Sequence, residues 1–230
     1  MKKIIATAAI LVLSTMSANA VNWGALSLTG GIATNTSVWG ASAKETNLTD
    51  TNTTGHIKKE SGVFTDSFSS QFIELGIGSW ISLGFEHTPD AISTPENKTR
   101  EGTVPSTVKV DFNDVNTTYI KVNFPNGIYF KTGTVETDLD IKESMGSGST
   151  YKNKSTEGTM MGLGYQRFMG DTGFGFRLEG SYTELDNVST DNGVSATGAT
   201  VANGGRNTID ASNLEGLVGK VALTYTFGRD

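Results

Sequence analysis

The chain of 230 residues contains no cysteine and only 4 prolines, although it contains 28 glycines. Without cysteine, the chain has neither a disulfide framework nor thiolate ligands for a metal site. A chain of this size can obtain its rigidity instead from strands that pair into a closed sheet. The lack of cysteine and the shortage of proline therefore favour a fold built from continuous backbone pairing.

Long hydrophobic runs are also scarce. The apolar run from Ile4 to Leu13 follows two lysines, and residues 18–20 then read Ala-Asn-Ala. A run of about ten residues is too short for a membrane helix, which needs about twenty. The pattern of a basic start, a short apolar run and small residues predicts a secretory signal peptide over residues 1–20. We expect the mature chain to begin at Val21.

Basic residues are fewer than acidic ones. Removal of Lys2 and Lys3 with the signal peptide leaves 16 basic residues against 24 acidic ones, a net charge of −8. A chain this acidic is a poor partner for nucleic acid. Only 36% of the residues are hydrophobic, and no other segment approaches a membrane helix, so the sequence excludes helical membrane insertion.

The segment from Leu214 to Phe227 alternates between two faces, as a β-strand does. Its alternation suits a wall between lipid and a polar interior. One face carries Leu217, Gly219, Val221, Leu223, Tyr225 and Phe227, and the other carries Gly216, Lys220, Ala222 and Thr224. The segment resembles the carboxy-terminal assembly signal of bacterial outer-membrane barrels, in which alternate hydrophobic residues run to a final phenylalanine; here Gly228 to Asp230 follow it. That resemblance implies recognition by the barrel assembly machinery through Gly219, Val221, Leu223, Tyr225 and Phe227.

Other segments alternate in the same way. The connections between them are alternately short turns and long polar stretches. We predict strands from Trp23 and near 68–77, 81–87, 118–124, 128–136, 160–168 and 174–185, with Val108 to Phe112 as a candidate extension of the strand near 118–124. We predict short turns at 78–80, 125–127 and 169–173, and loops over 41–66, 88–107, 138–158 and 187–213. Short turns at one end and long loops at the other are typical of outer-membrane barrels. The sequence thus predicts an all-β fold in one domain, residues 21–230: a closed antiparallel up-and-down transmembrane β-barrel of about eight strands, with short periplasmic turns and long external loops.

Aromatic residues lie where the predicted strands meet the short turns. Such residues favour the membrane interface and predict a periplasmic girdle. Its members are Trp23, Trp80, Phe124, Phe168 and Phe174. A soluble β-sandwich would share the alternation and the turns, but the signal peptide, the girdle and the terminal strand favour the barrel. The chain resembles small outer-membrane proteins with an OmpA-like or OmpX-like barrel, and in length it is similar to the stand-alone barrels of Gram-negative bacteria.

Enzymatic chemistry has little support in the sequence. Its two histidines are His56 and His87, and Ser82, the nearest inward serine, lies on the opposite strand face from His87. Asp138 and Asp140 lack the ligand spacing of an EF-hand and are interpreted as solvated loop acids. We therefore expect no catalytic residues, no metal site and no cofactor.

Charged residues on the inward faces of the predicted strands lie a few residues from the short turns. A barrel of about eight strands has an interior just wide enough for side chains to fill. Buried charges persist when they are paired, so we predict an ion-pair network that closes the lumen. Its members are Glu74, Glu86, Lys121, Lys131, Arg177, Glu179 and Lys220. A wet, narrow pore lined by the same residues is the alternative.

Two classes of function remain, because a small barrel does not specify one. The first is a structural or surface-interaction protein whose partners are outer-membrane lipid, lipopolysaccharide and, through the loops, an external ligand, cell or phage. The second is a narrow porin-like channel for small solutes or ions.

Overall fold

The structure is a computed structural model that describes residues 26–49, 52–101, 104–144, 150–194 and 205–228. The predicted signal peptide, the start of the mature chain and Trp23 lie outside these residues. No helix within the described ranges is long and apolar enough to cross a membrane. The strands are β1 (Leu26–Thr49), β2 (Asn52–Ile77), β3 (Ile81–Thr88), β4 (Ile92–Ser93), β5 (Asn97–Glu101), β6 (Val104–Asn123), β7 (Ile128–Ser144), β8 (Lys154–Phe168), β9 (Phe174–Leu185), β10 (Val188–Asp191) and β11 (Arg206–Phe227).

Eight of these strands form a closed antiparallel ring in the order β1-β2-β3-β6-β7-β8-β9-β11. The last strand pairs with the first, from Leu28 opposite Phe227 to Leu48 opposite Arg206. The remaining short strands lie outside the ring order: β4 and β5 pair with β6, and β10 pairs with β11. A closed ring leaves no unpaired edge along its wall, and the predicted fold class is confirmed.

Three short turns gather at one end of the ring, at the predicted positions. Residues 78–80 join β2 to β3, residues 124–127 join β6 to β7, and residues 169–173 join β8 to β9. Gly127 has a positive φ of 84°, a conformation that glycine adopts without the steric cost of a side chain. The Pro-Asn-Gly sequence therefore forms a tight hairpin, in which Lys121 lies directly opposite Lys131.

The prediction of long loops is wrong over much of their length, because paired strands occupy these residues. Residues 41–66 continue β1 and β2 as a paired ladder that reaches Thr49 opposite Asn52. Residues 88–107 contain β4 and β5, residues 138–158 contain the ends of β7 and β8, and residues 187–213 contain β10 and the start of β11. Backbone pairing persists there although hydrophobic alternation stops, because strands that extend past the lipid have no need of an apolar outer face.

The interior of the ring is filled at two levels. Nearer the short turns lie charged and polar side chains, which include the predicted network. Nearer the long hairpins lies a cluster of buried side chains that we call the apolar plug. Its members are Trp39, Phe64, Ile92, Phe112, Tyr119, Val135, Leu139, Met160, Leu185 and Leu214.

The outer surface carries an apolar belt of uneven height. On β8 and β11 the outward apolar residues continue to Met161 and Leu217, which are 54% and 62% exposed. On the opposite side of the ring, polar residues replace them closer to the short turns. The first such residues are Gln71 on β2, His87 on β3, Thr118 on β6 and Thr132 on β7. The belt is therefore taller on one side of the barrel than on the other.

Candidate functional site

The candidate site is the charged layer inside the ring. Six different strands supply its side chains, because each strand turns alternate residues inward. The structure brings together all seven predicted residues, and none is more than 8% exposed: Glu74, Glu86, Lys121, Lys131, Arg177, Glu179 and Lys220. Each of the seven takes part in at least one ion pair. A buried ion-pair network is therefore present.

Glu74 is the centre of one half of the network. The Arg177 guanidinium grips both carboxylate oxygens, with one nitrogen 2.6 Å from Oε1 and the other in contact with Oε2. Lys121 Nζ lies 2.5 Å from Oε2, and the Tyr119 hydroxyl donates to Oε1 at 2.8 Å. A bidentate guanidinium, an ammonium and a phenol together satisfy this carboxylate in a site where water is excluded.

Gln166 on β8 joins the two basic side chains of this half. Its Oε1 accepts a hydrogen bond from Arg177 Nε at 2.9 Å and another from Lys121 Nζ at 3.3 Å. Gln166 is not among the predicted network residues, although it lies on the same inward face of β8 as Gly162 and Gly164. An uncharged inward amide close to a predicted ion-pair layer is the signal that would have found it.

Glu86 and Glu179 form the second half with two lysines. Lys131 Nζ lies 3.1 Å from Glu86 and 2.9 Å from Glu179. Lys220 Nζ lies 2.6 Å from Glu86 and 3.1 Å from Glu179. The hydroxyl of Ser70 donates to Glu86 at 2.7 Å, and that of Tyr129 donates to Glu179 at 2.8 Å. Alternation of acid and base keeps like charges from direct contact.

Two tyrosines donate hydrogen bonds to the network, and each tyrosine ring packs over a glycine of the neighbouring strand. Tyr119 lies opposite Gly84, and Tyr129 lies opposite Gly164. A Cβ built on either glycine would come within 2.3 Å of the tyrosine Cζ, so only glycine leaves room for the ring. The rings also contact cations: Lys131 Nζ lies 4.2 Å from the centroid of Tyr119, within the range of a cation–π interaction.

The apolar plug was not predicted. Trp39 and Phe64 both stack on Phe112, at centroid distances of 6.1 Å and 6.5 Å. Trp39 lies just before the stretch 41–66 and Phe64 lies within it, where most residues on both faces are polar, so hydrophobic alternation does not mark the inward face there. The available signal was the size of the two rings, because the neighbouring Val38 and Val63 are apolar but exposed.

The other predicted residues lie apart from the charged layer. Trp80, Phe124 and Phe174 are exposed beside the short turns, and Phe168 is half-buried at the end of β8. The apolar residues of the predicted assembly signal face outward, and the rings of Tyr225 and Phe227 meet edge to face at 4.6 Å. These positions agree with a girdle and an assembly signal, whose roles stay predictions.

The residues considered for chemistry are dispersed. His87 Nδ1 lies 2.9 Å from Asn116 Oδ1, whereas the buried Ser82 faces the interior. Asp140 accepts a hydrogen bond from Asn153 at 2.8 Å. In the part of the chain that the structure describes, no three acidic, histidine or cysteine residues are grouped to hold a metal ion. The sequence expectation of no metal site stays an expectation.

Asp111 forms a separate ion-pair cluster in the extension of β6 beyond the belt. Lys109 Nζ lies 2.9 Å from its carboxylate, Lys142 contacts it from β7, and the Ser93 hydroxyl donates to it at 2.7 Å. Burial raises the pKa of Asp111, but the hydrogen bonds from Lys142, Ser93 and Lys109 outweigh burial and hold that pKa below its usual range. These contacts fasten β4 and β7 to β6.

Comparisons with known proteins now place this fold. No protein-family model and no curated protein sequence matches the chain. Among solved structures, the chain is similar to the outer membrane protein OprG from Pseudomonas aeruginosa, with a TM-score of 0.54, 10% identity, and coverage of 86% of this chain and 97% of OprG. Ail of Yersinia pestis, in complex with the heparin analogue sucrose octasulfate, gives a TM-score of 0.40 at 11% identity, covering 85% of this chain and 99% of Ail. The outer membrane protein AlkL gives 0.47 at 13% identity, covering 93% and 95%.

The similarity to OprG, whose TM-score is above 0.5, extends over most of both chains. The fold is that of a small outer-membrane β-barrel protein, as the sequence predicts. In such barrels the short turns face the periplasm and the long hairpins face the exterior. By that convention the charged layer lies on the periplasmic side of the apolar plug.

Proposed function

We propose that this protein is a closed outer-membrane barrel with a structural or surface-interaction role, exported by a cleaved signal peptide and without enzymatic activity. The observation that carries the proposal is the double filling of the lumen. A network of seven paired charges lies across the interior, and the apolar plug lies beyond it toward the exterior. An ion that crossed would have to break buried ion pairs and then enter an apolar layer without water.

The hairpins beyond the belt supply the surface for interaction. Their described parts are paired strands. The β1–β2 pair continues to Thr49 opposite Asn52, and contacts of Asp111 join β4, β6 and β7. Polar, hydrogen-bonded hairpins of this kind present a fixed outer face to lipopolysaccharide, to an external ligand or to another cell. Lipid is the partner that the barrel wall itself requires.

Conductance in a planar bilayer tests closure. We expect purified wild-type protein to show no steady conductance. Replacement of both Glu74 and Glu86 by Gln removes two of the three carboxylates and leaves four cations with Glu179 alone. Breaking a buried ion pair costs about 3–5 kcal/mol, so the double variant should unfold more readily in urea or admit ions.

Glu157 and Glu184 provide a matched control, because both are exposed on the outward face. Their double replacement by Gln removes the same charge and should leave both conductance and stability unchanged. Steady wild-type conductance would contradict closure and support the narrow channel. A Glu74 and Glu86 double variant that is as stable and as tight as wild type would show that the network does not close the lumen.

A further inference from the structure

The two halves of the charge network differ in their charge balance. Glu86 and Glu179 are matched by Lys131 and Lys220, two acids against two bases. Glu74 alone serves both Arg177 and Lys121. The Glu74 half therefore holds one positive charge in excess, on side chains that are at most 3% exposed. An uncompensated charge at such a depth is costly unless a counter-ion lies close by.

The excess charge borders a cavity at the periplasmic end of the barrel. This vestibule has a volume of about 730 Å³ and is lined by two of the short turns, by Lys121 and by inward polar side chains of several strands. Its polar lining includes Ser82, Asn123, Gln166 and Thr226. The charged residues among its described lining, Lys121 and Arg167, are both basic, and none of the described lining residues is acidic. The vestibule is therefore suited to a negative ligand.

Two donors that line this cavity have hydrogens to spare. Lys121 Nζ has three N–H groups and donates two of them, to Glu74 and to Gln166. Gln166 uses its oxygen to accept from Lys121 and from Arg177. Those two charged donors fix the orientation of the amide, so its NH₂ group is directed away from them. The network thus orients both donors before any ligand arrives.

We propose that the periplasmic vestibule binds a small free oxyanion of the phosphate class, with Lys121 Nζ and the Gln166 amide as its direct ligands. The bound anion supplies the negative charge that the Glu74 half of the network lacks. Anion binding at the periplasmic face does not depend on whether the lumen conducts.

The experiment uses the isotope-labelled barrel in uncharged maltoside micelles, with sodium phosphate replacing sodium chloride at constant ionic strength. We expect a saturable NMR shift of the Gln166 side-chain amide and of the backbone amide of Asn123. Lys121→Gln removes the excess charge and one ligand, and it should weaken phosphate binding about tenfold or more, since a hydrogen bond to a charged group contributes about 1.5–3 kcal/mol. Lys154→Gln, at an exposed site on β8, should bind phosphate as wild type does.

Gln166→Glu is the decisive variant, because it is isosteric and moves the missing negative charge into the protein. Its carboxylate can keep both hydrogen bonds from Lys121 and Arg177 while it repels an anion. We expect the phosphate-dependent shift to disappear and the urea midpoint of unfolding to rise above that of wild type in chloride. A variant that folds better yet loses the ligand cannot be explained by damage to the barrel.

Three results would overturn the proposal. The first is a wild-type barrel whose shifts do not saturate with phosphate. The second is a Gln166→Glu variant that binds phosphate as wild type does or unfolds at lower urea. The third is a shift produced by short-chain phosphatidylglycerol but not by inorganic phosphate, which would assign the site to a lipid headgroup instead of a free anion.

Discussion

Single glycines decide where the large inward rings can lie. Besides the two that face the network tyrosines, Gly31 lies opposite Phe72 and Gly216 lies opposite Trp39. A Cβ on Gly31 would come within 2.2 Å of the Phe72 ring, and one on Gly216 within 2.6 Å of the Trp39 ring. The rings in turn cover backbone that a glycine would otherwise leave bare in the sheet.

Replacing Gly84 by Ala tests this pairing at one position. The new methyl group would overlap the ring of Tyr119, which is 2% exposed and hydrogen-bonded to Glu74, so the ring has little freedom to move. We expect a loss of about 1–3 kcal/mol in the free energy of unfolding, the usual cost of overpacking. Urea unfolding in lipid vesicles measures it.

Gly180 is the control for that substitution. It faces outward, and a Cβ built on it meets no atom within 4 Å. Gly180→Ala should therefore leave the free energy of unfolding close to that of wild type. Equal effects of the two alanines would refute the fit of ring to glycine, whereas rescue of Gly84→Ala by a second change, Tyr119→Leu, would establish it.

At this scale the sequence predicts the charges better than their partners. The positions of Glu74, Lys121 and Lys131 follow from the alternation of strands and from the short turns, both of which are local. The choice of partner is not local: Arg177, rather than either lysine, takes both oxygens of Glu74. Such choices depend on the stagger of neighbouring strands around the ring, which no single strand specifies.

Among the elements, the terminal strand carries the assembly prediction. Phe227 and Phe174 both pack edge to face on Tyr225, at 4.6 Å and 4.8 Å between centroids. We expect Phe227→Ala to lower the yield of protein in the outer membrane and to leave protein in the periplasm, because Phe227 ends the predicted assembly signal. Fractionation of cells followed by blotting measures the distribution.

Phe174→Ala separates assembly from stability, since it removes a comparable contact with Tyr225 but lies outside the terminal strand. Its outer-membrane yield should stay near that of wild type. If both variants are depleted equally, the loss reflects the aromatic cluster, and Phe227 has no special part in assembly.

Strand ends were predicted less well than strand centres for a physical reason. Within the belt, lipid on one side and packed interior on the other impose alternation, so β9 was predicted over nearly its observed length. Beyond the belt both environments are polar, and hydrogen bonds between backbones continue without a pattern in the side chains. β6 accordingly begins at Val104 and runs unbroken through the candidate extension at Val108 to Phe112 into the strand predicted near 118–124.

The whole barrel meets the membrane unevenly, because its apolar belt is taller on β8 and β11 than on β2, β3, β6 and β7. Thr134 on β7 and Gly180 on β9 allow the height of the apolar belt to be compared on the two sides. Both face outward, and both lie equally far along the chain from the first residue of their strands, Ile128 and Phe174. In a level barrel with an even belt, the two positions would lie at equal depth.

We expect spin labels at these two positions to report different surroundings in lipid vesicles. A label on Thr134→Cys should collide more with a water-soluble nickel reagent, and one on Gly180→Cys more with oxygen dissolved in the lipid. The barrel either tilts or thins the bilayer on the β7 side to achieve this. Matching collision ratios at the two sites would show that lipid covers both sides to the same height.

The ion pairs of the lumen also impose an order on folding, because their members lie far apart in the chain. Glu74 pairs with Arg177, which follows it by 103 positions, and Glu86 pairs with Lys220, which follows it by 134. Contacts of such long range form late. A partly inserted chain that lacks its last strand would leave Glu86 with Lys131 alone and Glu179 without Lys220. Glu86 and Glu179 thus lack one of their two bases until β11 meets β1, so the same charges that fill the finished lumen also favour its closure.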